Sequence, residues 1–185
     1  MADSGWLRRV ERVLTALDTA MGLAGGGLFF IVAWYIVSDV IGRNYTGFYS
    51  GGTDELSGYA LAIGTAWAMA FTLRRKGHVA IDVVTAHLSA QTRAVLDLVA
   101  LLVMLLFAGL LAWFAWDLAL GSWAHSEHSV GIVATPLALP QFLMAVGFTV
   151  FTLEALVLFA VGCVRLTPGA TLPPADVAQS AGDSL

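Results

Sequence analysis

Apolar residues along this chain gather into four long blocks, roughly Ala20 to Ile41, Leu56 to Leu73, Leu98 to Trp116 and Leu139 to Cys163, separated by polar or mixed stretches. Each block is close to the ~20 residues that carry an α-helix across ~30 Å of hydrocarbon at about 1.5 Å per residue. A soluble core spreads its apolar positions at helix or strand period instead of massing them in this way. The pattern predicts an all-α integral membrane protein with four transmembrane helices. Ahead of the first block, Trp6, Val10, Val13, Leu14 and Leu17 recur at helical spacing, with Arg8, Arg9, Glu11 and Arg12 on the other side. That arrangement predicts an N-terminal interfacial helix lying on one leaflet. Between the second and third blocks, Val79, Ile81, Val84 and Leu88 form an apolar stripe interrupted by Asp82 and His87. It predicts a surface helix rather than a plain loop.

Composition sharpens this reading. Apolar residues make up 58% of the 185 positions and charged residues 12%, against about 25% charged in an average soluble domain. Too few charges remain to cover a water-soluble fold. The leader has no apolar core before the first block, and the block lacks a small-residue cleavage pattern, so it is expected to be a retained helix. Arg8, Arg9 and Arg12 precede the first span, while Arg74, Arg75, Lys76 and Arg93 lie between the second and third and Arg165 follows the fourth. Only Arg43 falls on the other side. The positive-inside rule then places both termini and the middle connection in the cytoplasm, making the surface helix a cytoplasmic one. Residues 1–166 form the four-span domain on this reading, and the Pro-, Ala-, Gly- and Ser-rich segment 167–185 is expected to be a disordered tail.

Few residues offer chemistry. The lone Cys163 rules out an intrachain disulfide and any multi-thiolate metal site, and no basic stripe suits nucleic acid. No histidine lies in a span, which counts against haem ligation within the membrane. His125, Glu127 and His128 cluster in the outer connection, with no fourth ligand at a convincing spacing; a solvated loop is the simpler reading. Asp39 and Arg43 stand four apart near the outer end of the first span, where a solvated, mutually neutralising pair is favoured over an ion or substrate site. Glu154 sits inside the fourth span between Leu153 and Ala155, where a carboxylate needs a proton, a partner or a protein surface. With no second acid or base seen at that depth, a structural or subunit contact is favoured over a proton relay. Gly22, Gly25, Gly26 and Gly27 in the first span, and Ala60, Gly64 and Ala68 in the second, offer small faces for close packing of these two helices, the favoured reading, or of a partner's helix.

Several positions occur together in a recognisable order. Asp54 and Glu55 open the second span, a basic cluster closes it, and His78, Asp82, Leu88 and Arg93 lead into the third. Arg43 precedes the acidic pair, and Pro136 and Pro140 precede the last span. The stretch DELSGYALAIGTAWAMAFTLRRKGHVAIDVVTAHLSAQTRAVLDLV, with these flanks, resembles the small membrane subunit of TRAP (tripartite ATP-independent periplasmic) transporters, the DctQ family. The chain departs from that pattern at Gly58, where family members often carry a basic residue.

The resemblance implies a non-enzymatic scaffold in the bacterial inner membrane, without a cofactor. Its implied partners are a large permease subunit, a periplasmic solute-binding protein and membrane lipid. The implied task is to support ion-coupled uptake of an organic acid. On this view Arg43, Asp54, Glu55, His78, Asp82, Arg93 and Glu154 are structural or partner-contact residues. Glu55 would anchor the outer end of the second helix, and His78 with Asp82 would tie the surface helix to a span end. A self-contained proton-coupled transporter using Glu154, and a membrane anchor of a redox complex, are the alternatives.

Overall fold

The structure is a computed structural model that describes residues 4–47, 50–74 and 89–166. Among the described residues there are four helices: α1 (Ser4–Tyr45), α2 (Thr53–Arg74), α3 (Ala90–Ala124) and α4 (Ala138–Leu166). All four are long and apolar enough to cross a membrane. At about 1.5 Å per residue their 42, 22, 35 and 29 residues reach roughly 63, 33, 52 and 43 Å. The expected cytoplasmic surface helix, with His78 and Asp82, and the expected tail at 167–185 lie outside the described residues.

The helix boundaries follow from local chemistry. α1 stops where Gly47 takes the left-handed backbone (φ 70) that ends helices, and Arg43 in its last turn suits the negative end of the dipole. Asp54 and Glu55 occupy the first turn of α2, where the dipole favours carboxylates. Ser89 caps α3, its hydroxyl oxygen accepting from the Thr92 amide at 3.2 Å. In α4 Pro140 falls in the first turn, where its missing amide costs nothing.

No break divides the N-terminal segment from the first span; they are one helix. The buried stripe of α1 runs Leu14, Asp18, Met21, Gly25, while Val13 and Leu17 face outward. Of the expected apolar face, Val13 and Leu17 point outward, while Leu14 points into the bundle on a stripe it shares with Asp18.

In space the order is α1, α2, α4, α3. α2 packs on both α1 and α4, α3 packs chiefly on α4, and α1 touches α4 only lightly. Small residues set the α1–α2 contact: a Cβ at Gly25 would lie 3.3 Å from the Gly64 carbonyl, and one at Gly22 would strike the Phe71 ring. Gly26 and Gly27 have open space around them. Of the glycine row, then, only one edge serves the intrachain contact. α2 and α4 run in the same direction. Trp67 donates its indole N–H to the Leu143 carbonyl at 2.9 Å, beside Gly147, where an added Cβ would lie 3.0 Å from the Ala66 backbone. Trp116 of α3 donates to Thr149 Oγ1 at 2.9 Å and meets Phe142 edge-on. The apolar core of Met21, Ala70, Leu73, Ala108, Val150, Phe151 and Ala155 lies toward the end of the bundle opposite the connections 46–52 and 125–137.

Replacing Gly147 by valine should force α2 and α4 apart, at a cost of about 1–3 kcal/mol. The expected result is a lower unfolding midpoint in detergent and a broadened gel-filtration peak. Gly26→Val, at an open position on α1, should leave both unchanged.

Candidate functional site

At the end of the bundle formed by the two connections, carboxylates reach across and close the loops. Asp39, one and a half turns before the end of α1, accepts from the Ser50 amide at 2.7 Å, the Ser50 hydroxyl at 2.9 Å and the Thr53 hydroxyl at 2.8 Å. Tyr35 shares a hydrogen bond with the same Ser50 hydroxyl. Arg43 stands 3.5 Å from Asp39, but its side chain is 62% exposed against 4% for the aspartate. The pair is thus not the solvated one expected. Asp39 is buried, and its main partners lie across the turn, so its role is to fold the chain back into α2. Charge-assisted bonds of this kind are stronger than neutral ones.

Glu55 does the equivalent for the second connection. It accepts from Tyr59 Oη at 3.1 Å and from the Thr135 amide at 3.3 Å, and the Ser129 and Thr135 hydroxyls face it. A side chain at Gly131 would overlap its carboxylate. This single residue ties the start of α2 to the α3–α4 connection. Asp54 is exposed; its backbone carbonyl accepts from Ser57 at 3.0 Å, and it lines the loop end of a groove between α1 and α2 with Ile36 and Ser57.

The α3–α4 connection is itself folded. Its two arms pair at His128 and Pro136, with Ser129 N–H donating to the Thr135 carbonyl at 2.9 Å and Leu137 N–H to the Glu127 carbonyl at 3.0 Å. Glu127 accepts from the buried Ser122 hydroxyl at 3.0 Å. Ser126 and Ala134 have positive φ, a cost tolerated because the bridge around them over-determines the turn. The two connections also pack on each other: Ile132 fills the space beside Gly51, and Val133 that beside Gly52. The result is one platform built from both loops.

His125 and His128 each place Nδ1 against a backbone carbonyl, Gly121 at 2.9 Å and Ser126 at 2.7 Å. Among the described residues no group of three His, Cys, Asp or Glu side chains is placed to hold a metal ion.

The remaining expected residues lie elsewhere. Arg93 is exposed in the first turn of α3. Glu154 is 0% exposed on the packed stripe of α4, about 24 Å along the helix from its start by the ordinary rise. The contacts Gly22–Phe71 and Gly147–Ala66 set the helix registers. Extending them puts both Asp18 and Glu154 level with the last turn of α2, whose Leu73 shares the core with Met21 and Ala155. Asp18 is 1% exposed. The expectation that Glu154 has no second acid at its depth is therefore wrong. Asp18 was hidden because it precedes the apolar block, and only a continuous α1 carries it into the bundle.

A family model described as tripartite ATP-independent periplasmic transporters, DctQ component, matches residues 33–165, well over half of the chain. No curated protein and no solved structure gives a match. The chain belongs to the DctQ family, the small component of TRAP transporters. The matched range includes Asp39, Arg43, Asp54, Glu55, Arg93 and Glu154; Asp18 falls outside it.

Asp39→Ala should free Ser50 and Thr53 and lower the unfolding midpoint by several degrees, with faster protease cleavage in the 46–52 connection. Asp39→Asn, which keeps acceptor oxygen but loses charge, should fall between that variant and the wild type. An unchanged cleavage rate in Asp39→Ala would contradict the assigned role.

Proposed function

We propose that this chain is the scaffold subunit of a TRAP importer, holding the large permease subunit in the inner membrane during ion-coupled uptake of an organic acid. The observation that carries this reading is where the polar groups go. Asp39 and Glu55 close loops, and the two grooves along the helices are mainly apolar, with Asp54 and Ser57 the polar side chains in the one between α1 and α2. One, of about 510 Å³, is lined by Met69, Ala100, Val103, Met104, Phe107 and Phe151. Solute and ion sites in transporters use broken helices and polar linings near the midplane. Such features are expected in the large subunit.

In this arrangement both termini and the connection holding Lys76 are cytoplasmic, and the platform faces the periplasm. Arg43 and Glu55 act as anchors of the platform, which helps seat the periplasmic solute-binding protein. Exposed Asp54 and Arg93 are contact points for partners or lipid headgroups. His78 and Asp82 tie the cytoplasmic connection to a span end.

One observation favours a second reading: Asp18 and Glu154 bring two buried carboxylates to one level, and intramembrane acids are by default functional candidates. A small proton-coupled transporter would need such a pair.

Reconstitution separates the two. Proteoliposomes with this chain alone should show no proton or organic-acid flux, whereas adding the large subunit and the binding protein should give uptake. Proton flux from the isolated chain, abolished by Glu154→Gln, would establish the second reading and remove the first. In cells, a cysteine at Gly47 in a Cys163→Ser background should react with an impermeant maleimide from the periplasmic side. Labelling only after lysis would reverse the orientation.

A further inference from the structure

The groove between α1 and α2 is a short slot of about 420 Å³. Its walls run from Phe29 to Ile36 on α1, about 10 Å by the ordinary helical rise, and from Asp54 to Leu61 on α2. At the inner end Phe29 lies across onto Gly64, where an added Cβ would strike its ring. Gly58 leaves one wall low, with nothing within 4 Å of a Cβ placed there. At the loop end stand Asp54 and Ser57, the polar side chains of the lining. The dipole of α2 steadies the Asp54 charge in the first turn. Among the described residues, however, no donor reaches its carboxylate, and only its backbone carbonyl is engaged, by Ser57.

Depth and charge together decide what fills the slot. The apolar span of α2, Thr53–Leu73, has 21 residues, about 31 Å by the ordinary rise and close to the ~30 Å of bilayer hydrocarbon. Asp54, at its second position, therefore stands at the headgroup boundary, and the slot beneath it lies at the depth of acyl chains. Arg43 brings the opposite charge to the same level. Its guanidinium is 3.5 Å from the Asp39 oxygen that also holds the Thr53 hydroxyl, so it lies beside the residue preceding Asp54. A mouth with a carboxylate and a guanidinium over an apolar slot complements a zwitterionic phospholipid. A partner helix, ~10 Å across, does not fit a slot closed by Phe29 after about two turns; a flexible acyl chain does. A primary ammonium donates hydrogen bonds to a carboxylate as lysine does, whereas a choline headgroup has no N–H to give and a glycerol headgroup brings no positive charge.

We propose that this slot is a binding site for a phospholipid with a primary ammonium headgroup, phosphatidylethanolamine. One acyl chain lies between α1 and α2, the ammonium meets Asp54, and the phosphate is turned toward Arg43. This deepens one part of the reading above, that Asp54 meets a partner or a lipid headgroup, and commits it to lipid; the scaffold role does not enter.

The test uses the full chain with photoreactive benzoylphenylalanine in place of Leu61, which lines the slot and is exposed. The protein is placed in nanodiscs of equal parts phosphatidylethanolamine, phosphatidylcholine and phosphatidylglycerol with the same acyl chains, alone and together with the large subunit, and the adducts are read by mass. Phosphatidylethanolamine should be captured about threefold over either competitor, the size of effect expected of an exposed ion pair. All three lipids carry the phosphate, so the ratio isolates the ammonium. Asp54→Asn should bring the ratio to about one, with assembly and unfolding midpoint unchanged. Gly58→Leu, which fills the slot from an open position, should reduce adducts of all three lipids without lowering the midpoint. Capture in proportion to the disc composition, or an Asp54→Asn ratio like that of wild type, overturns the site. Adducts with the large subunit in place of lipid also overturn it, leaving Asp54 as a partner contact, as does loss of assembly in Asp54→Asn.

Discussion

Hydrocarbon offers no hydrogen bonds, so every amide that enters it must be satisfied within its own helix, and every place where the helix stops needs a substitute partner. The architecture is organised around those stopping points. Along the spans, Leu, Val, Phe and Ala do little more than fit. At the loop end, Asp39 takes over the donors of Ser50 and Thr53, and Glu55 takes over that of Thr135. Two acids on two helices thus convert two chain reversals into a continuous surface. Were either connection merely polar and solvated, α2 would be held only by its sides.

Those sides are unequal. α2 is the shortest of the four described helices and lies between α1 and α4, while the much longer α3 leans chiefly on α4. Glycine and alanine make the inner contacts, and tryptophan N–H groups bridge helices where a carbonyl or hydroxyl is exposed for them, as Trp67 does with Leu143 and Trp116 with Thr149. Packing without a hydrophobic drive between helices relies on such close approach and on interhelical hydrogen bonds. The broad apolar surface of α3, with Leu106, Leu110, Trp113 and Phe114 outward, is the natural consequence of a lipid solvent.

Much of this was visible in the chain itself. Four apolar blocks foretold four helices because a continuous run of that length has few other uses, and Asp54, Glu55, Arg93 and Pro140 carried the family likeness through their order. The small-residue rows of the first two spans were legible as packing faces, but that Gly25 meets Gly64 was not. The role of Asp39 was not, since its partners are reached through a turn whose path depends on Gly47 and Gly51 at positive φ. Asp18 was missed for a different reason. Hydropathy marks where a span becomes greasy, not where its helix begins, and an acid just before the greasy part looks like solvent-facing punctuation. The folded α3–α4 connection left no periodic signal, because its bridge and tight turns are made by backbone groups and by a carboxylate far away in sequence.

That distance has a consequence for how the protein is made. Glu55 and the Thr135 amide it receives are separated by 80 residues. During synthesis the first pair of helices therefore enters the bilayer well before the second connection exists, and its anchoring carboxylate waits without that donor. Completion of the fold is a late event that depends on the last hairpin crossing to the same side. A chain stalled before that crossing would expose the gap to whatever insertion factors and proteases patrol the membrane.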